Sequence, residues 1–181
     1  MPFIVVNFIA MQTAWFACVL GGAGQLPWIG VGTALLVVLL HLKLSPQMRP
    51  ELCLLVLVGL IGSSWEALVM QTGWLVYPSG IIIAGIAPIW IMALWVAFAT
   101  SLNVSMRWLK GRYLLAAALG AVVAPMSFLA GARLGGVEFV EPVAGLAMLS
   151  IGWAMLLPTV VRIGEHFDGW PKAIPERAAS R

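Results

Sequence analysis

Six long apolar runs alternate along the chain with short connectors rich in glycine, proline or charge. Each run is close to the roughly twenty residues that a helix needs to cross about 30 Å of hydrocarbon. The pattern predicts helices over about 3–20, 28–44, 52–72, 86–106, 113–131 and 143–163. Turn chemistry separates them, at Gly21-Gly22-Ala23-Gly24, Ser45-Pro46, Tyr77-Pro78-Ser79-Gly80, Lys110-Gly111, Gly135-Gly136 and Glu141-Pro142. The expected fold class is all-α: a polytopic membrane protein in which residues 1–164 form a six-transmembrane-helix bundle and 165–181 a short polar tail.

Composition agrees with that pattern. Of 181 residues, 62% are hydrophobic and 9% charged, against about 45–50% and 25% in soluble domains. A water-soluble core could not absorb the excess. The basic residues supply an orientation, because Lys and Arg concentrate in cytoplasmic loops. With the N-terminus in the cytoplasm, Lys43, Arg49, Arg107, Lys110, Arg112, Arg162, Lys172, Arg177 and Arg181 fall inside and only Arg133 falls outside. Both termini are therefore expected to be cytoplasmic. The net charge of +3 is dispersed over connectors, so no nucleic-acid partner is expected. Met1 to Asn7 carries no Lys or Arg, so the first apolar segment is expected to be a retained span rather than a cleaved signal.

Chemistry is sparse. No GxxxxGK[ST], HExxH or GxSxG motif occurs, and there are only two histidines. Cys18 and Cys53 stand alone in apolar runs and read as packing residues. Glu165, His166 and Asp168 read as a solvated tail. No metal and no cofactor are expected.

Among the charged residues only Glu66 lies inside a long apolar run. An ionised acid in hydrocarbon costs about 2 to 3.5 kcal/mol on insertion scales, so it should be paired, protonated or turned to a polar cavity. Arg133 is the one base predicted on the same outer side. A Glu66–Arg133 ion pair bolting the third span to the fifth is the expected arrangement. The alternative is an unpaired carboxylate that handles protons, binds cargo or is catalytic.

Gln12, Trp15 and Asn7 share one broad sector of the first helix, suited to interhelical hydrogen bonds or to a ligand. At the other end of the bundle, Asn7, His41, Thr100, Asn103, Ser105 and Arg107 should meet in an inner polar patch, with His41 interfacial or satisfied by a hydrogen bond. The deep tryptophans Trp15, Trp65, Trp90, Trp95 and Trp153 read as packing or lipid-facing residues. Small residues recur at i+4 in the fifth span, at Ala116, Gly120 and Ala124 and again at Ser127, Gly131 and Gly135. That stripe predicts a helix central to the bundle, kinked at Pro125.

Several strings carry a resemblance. They are Asn7 with Gln12, Trp15 and Phe16; Ala87-Pro88-Ile89-Trp90 with Leu94-Trp95 and Phe98; Leu102-Asn103, Ser105 and Trp108-Leu109; and Ala124-Pro125-Met126-Ser127-Phe128, Ala130-Gly131 and Arg133-Leu134-Gly135. In that order they resemble an uncharacterised bacterial inner-membrane family, the domain of unknown function 2878 (DUF2878). The resemblance implies a multi-pass protein of the bacterial inner (cytoplasmic) membrane, with a weak pointer to envelope lipids. Members often carry Asp at the position of Glu66 and His between the equivalents of Asn103 and Ser105. Here that intervening residue is Val104, so imidazole chemistry is not expected there.

These readings converge on an intramembrane polar site around Glu66, with Asn7, Gln12, Trp15, Asn103, Ser127 and Arg133 as binding candidates and Glu66 as the only catalytic candidate. Its expected partners are membrane lipids or a small lipid-like ligand, entering by a lateral opening between helices at the depth of Glu66. Two alternatives remain open. One is a small proton- or cation-coupled transporter subunit, the other a structural or partner-binding membrane subunit.

Overall fold

The computed structural model describes residues 2–170, and six α-helices account for most of them. They are α1 (Pro2–Ala23), α2 (Pro27–Leu44), α3 (Met48–Gln71), α4 (Ile89–Leu102), α5 (Tyr113–Arg133) and α6 (Pro142–His166). Lys172, Arg177 and Arg181, which enter the charge argument, lie outside the described residues. All but α4 are long and apolar enough to cross a membrane. Large apolar side chains such as Phe8, Leu36, Leu60, Val122 and Ile151 stay exposed on the outer faces. Lipid, not water, is the medium that such a surface requires.

The fourth element departs most from its predicted span. Only residues 89–102 are helical, about 21 Å of axis. Gly80 and Gly85 adopt positive φ and Pro88 occupies the N-cap, so the apolar residues before it follow an irregular path. After Leu102 the chain turns into a short 3-10 helix, Arg107–Leu109. Short as it is, α4 is the centre of the molecule and packs against α1, α2 and α3. Trp90, Ile91, Trp95, Ala97, Ala99, Thr100, Ser101 and Leu102 are all buried.

The small-residue stripe of α5 has a different role from the central one expected of it. This helix packs along α6 and forms a hairpin beside the α1–α4 group. A side chain at Gly120 would run into the backbone of Trp153 on α6, so the stripe does permit close approach. It serves one neighbour rather than several. Pro125 sits inside α5 and Pro158 inside α6, and each helix continues past its proline.

Two ties hold the hairpin to the rest. At one end, β1 (Leu75–Val76) pairs antiparallel with β2 (Glu138–Phe139), and Val140 N–H donates to Trp74 O at 2.9 Å. At the other, Asp168 accepts hydrogen bonds from Arg107 at 2.7 Å and Lys110 at 2.9 Å, and Glu165 accepts from Tyr113 and from Gly111 N–H. The segment after α6 is therefore docked as far as Trp170, not a solvated tail. Its charges are complementary to the turn before α5. Burial pulls the Lys110 ammonium below its ordinary pKa, against the opposing pull of Asp168. Burial pushes the Asp168 carboxyl up, but the Lys110 hydrogen bond, the Trp170 amide and the charges of Lys110 and Arg107 outweigh it, leaving the pKa lowered.

Candidate functional site

Glu66 sits five residues before the end of α3 and is 1% exposed. Its partners are not basic. Tyr77 O–H donates to Oε2 at 2.9 Å and Trp95 Nε1–H donates to Oε1 at 3.3 Å. Arg133 is exposed in the last turn of α5 and makes no ion pair among the described residues. The expected Glu66–Arg133 bolt is thus replaced by two neutral donors. The physical reason lies in the loop after α3, where Thr72 to Tyr77 turn back and bring the phenol to the carboxylate first.

Each donor is held by packing. A side chain at Gly62 would collide with the Trp95 ring, so this glycine lets the indole lie across α3 one turn from Glu66. Trp95 stacks on Trp153 of α6, with ring centroids 4.7 Å apart and an 11° interplanar angle. Trp65 fits in the same way into the space left by Gly152. Tyr77 meets Trp90 edge to face at 5.9 Å. The following turn is fixed by Ser79 Oγ–H donating to Gly22 O at 2.6 Å, Gln25 to Pro78 O at 2.9 Å and Trp90 Nε1–H to Ser79 O at 3.1 Å. The loop that carries Tyr77 therefore caps this end of the bundle.

Beside Glu66 lies a cavity of about 360 Å³. Its walls come from α1 (Phe8, Met11, Gln12, Trp15, Val19), from α4 (Trp90, Ile91, Leu94, Trp95, Phe98, Ser101) and from the α5–α6 hairpin (Gly120, Val123, Ala124, Ser127, Phe128, Trp153). It exists because α5 packs on α6 and not along α1 or α4. Near one end, Gly136 brings the α5–α6 turn against Val19 of α1. Further along, the lining residues Phe8 and Gln12 of α1 and Val123 of α5 are exposed. Ser101 Oγ and Trp153 Nε1 belong to residues of this wall and have no hydrogen-bond partner.

Four sequence candidates, Gln12, Trp15, Glu66 and Ser127, thus share one cavity. Asn7 and Asn103 serve elsewhere. Asn7 Nδ2 donates to Thr100 O at 3.1 Å and its Oδ1 accepts from Ser105 N–H at 3.3 Å, which ties α1 to the end of α4. Asn103 Nδ2 donates to Glu51 Oε1 at 2.7 Å and to Phe167 O at 2.9 Å.

Glu51 is the residue that sequence reasoning missed. Helix α3 begins at Met48, so Glu51 lies within the helix and is fully buried, not in the connector. His41 Nε2 lies 2.7 Å from Oε2, and Gly169 N–H donates to Oε1 at 2.8 Å. His41 is buried with it, its Nε2 partnered by that carboxylate, which is the satisfied of the two expected arrangements. Of the expected inner patch, His41 and Asn103 meet at this carboxylate, which the Arg49-Pro50-Glu51 string disguises as a turn, while Asn7 bonds instead to the backbone of Thr100 and Ser105. Proline is tolerated in a first helical turn, where its missing N–H has no intrahelical acceptor. Tyr77, Trp95 and Trp153 were also passed over as site residues, since neither a loop phenol nor a deep indole announces its partner.

A family model described as protein of unknown function (DUF2878) matches residues 4–159. The chain belongs to the DUF2878 family. The match takes in α1 to α5 and most of α6, and so every residue of the cavity wall. No curated protein and no solved structure matches the chain. For this DUF2878 member the chemistry must be argued from the cavity itself.

Proposed function

We propose that this integral membrane protein binds an amphiphilic, lipid-like molecule that enters between α1 and α5 and sets its polar end against Glu66. The single observation carrying this reading is the half-open cavity of about 360 Å³, apolar and aromatic except at Glu66 and a few other polar atoms. Ligand pockets have that character: mostly apolar walls with a small number of convergent polar groups. A further feature supports it. The exposed lining residues Phe8 and Val123 are apolar, so the route in suits an acyl or isoprenoid chain.

The test is the amphiphile content of the purified protein. Wild type extracted gently from its own membranes is expected to retain a stoichiometric amphiphile detectable by mass spectrometry. Ser127→Trp, which puts an indole into the half-buried α5 wall, is expected to lose it while keeping its thermal midpoint. Equal retention by both proteins, with only bulk lipid present, would sink the reading.

A further inference from the structure

The charge of the cavity wall narrows the ligand. The inference rests on the binding role just proposed and names the class of molecule bound. Among the described residues the cavity is lined by one carboxylate, Glu66, and by no Lys, Arg or His. The groups that touch that carboxylate are the neutral donors Tyr77 and Trp95. Each of its oxygens takes one hydrogen bond, although a carboxylate can accept about four in all. Acceptor capacity is therefore left over on this side chain, and no base among its partners or in the wall would compensate a charge on it.

Around it the wall is aromatic: Trp15, Tyr77, Trp90, Trp95, Phe98 and Trp153. Carboxylate plus indole and phenol is the chemistry that recognises organic ammonium groups, by Coulomb attraction and by the negative faces of the rings. An anionic headgroup would meet a like charge in a wall that holds no base to offset it. A neutral alcohol could use the same hydrogen-bond capacity but would gain nothing from the charge.

We infer that the ligand is a lipophilic ammonium: an apolar body carrying a primary to quaternary amine that pairs with Glu66 among the cavity tryptophans. A lipid headgroup and a free hydrophobic cation present this same group to the wall.

The test titrates the full-length protein in uncharged maltoside micelles with octyltrimethylammonium, octanol and octyl phosphate, read by calorimetry against protein-free micelles. The cation is expected to bind on the order of tenfold more tightly than octanol, with octyl phosphate weakest. Glu66→Gln should abolish the cation's advantage over octanol. Octyl phosphate binding as tightly as the cation, or a cation preference unchanged in Glu66→Gln, overturns the inference. Should that variant fail to fold, the order of the three probes on wild type still decides.

If octanol binds and the cation binds no better, the charge assignment falls while the cavity reading stands. If none of the three binds, the cavity reading itself falls. A second arm equilibrates wild type with phosphatidylethanolamine or phosphatidylglycerol vesicles and weighs the retained lipid. Preference for the amino lipid assigns the cation to a headgroup, and equal retention beside a cation preference in the first arm assigns it to a free amine. Preference for phosphatidylglycerol counts against the inference.

Discussion

Glu51 and Glu66 sit fifteen residues apart on α3, about 22 Å along its axis, and both are buried, yet the fold treats them in opposite ways. Glu51 accepts from Asn103 after α4 and from the Gly169 amide after α6, with His41 of α2 against its other oxygen. Three separate parts of the chain close on it. Glu66 takes one hydrogen bond on each oxygen and borders a cavity. The first carboxylate is enclosed by its partners, and the second is left with unused acceptor capacity beside an open space. A buried acid by itself therefore signals neither structure nor function; the number and source of its donors separate the two.

The comparison breaks most visibly at Glu51. Glu51→Ala strands His41, Asn103 and the Gly169 amide, and loss of one partner in a buried polar pair costs about 3 to 5 kcal/mol. A large drop in the thermal midpoint in detergent is expected, and a midpoint near wild type would show that the cluster is not closed as described. Next comes Gly62→Ala, whose new methyl meets the Trp95 ring. Overpacking of this kind costs about 1 to 3 kcal/mol. It should lower the midpoint and weaken ligand retention together, because Trp95 is also a Glu66 donor.

Glu66→Gln is expected to cost only about 1 kcal/mol, since the amide oxygen can still accept one of the two hydrogen bonds. The midpoint should barely move while amphiphile retention falls. A stability loss as large as that of Glu51→Ala would erase the contrast between the two sites.

Asp168 provides a smaller effect that depends on pH. Its pKa is lowered in the folded protein, so its contribution is complete above the ordinary carboxylate value and disappears as pH falls through the lower folded value. Asp168→Asn should lower the midpoint slightly at neutral pH and flatten the acid side of the stability profile. The pair is partly solvated, so the effect should stay near that of surface ion pairs. Coincident acid limbs in the two proteins would contradict the tie.

Arg133→Gln should do least. Exposed substitutions of this type usually fall within about 0.5 kcal/mol, and a larger loss would revive a role for Arg133 in holding α5.

Much of the fold was legible in the sequence because lipid imposes a simple rule. Each span needs a long apolar run, and α1, α2, α3, α5 and α6 lie within a few residues of the predicted spans. The fourth run misled because hydropathy registers only that a segment is apolar. Gly85 and Pro88 keep its first part out of the helix, and the irregular part can persist where protein surrounds or caps it. Glu66 stood out as a charge against hydrocarbon, but Glu51 did not, since a proline and an arginine beside it mimic a connector. Gln12 and Trp15 were nominated by depth and a shared sector of the first helix, and Ser127 by depth. That they share a cavity with Glu66 follows from α5 packing on α6 and not along α1 or α4, which no periodicity records.

By itself the sequence determined a helical membrane protein, the approximate place of its spans, its family resemblance and the anomaly of Glu66, because these depend on local composition and on the cost of charge in lipid. Tertiary structure decided which donors reach each carboxylate. Tyr77 comes from a loop, Trp95 from the central short helix and Gly169 from beyond the last one, and these meetings depend on helix adjacency. Helix adjacency, in turn, depends on where glycines let a neighbouring backbone or ring come close, a property of pairs of helices that neither sequence segment carries alone.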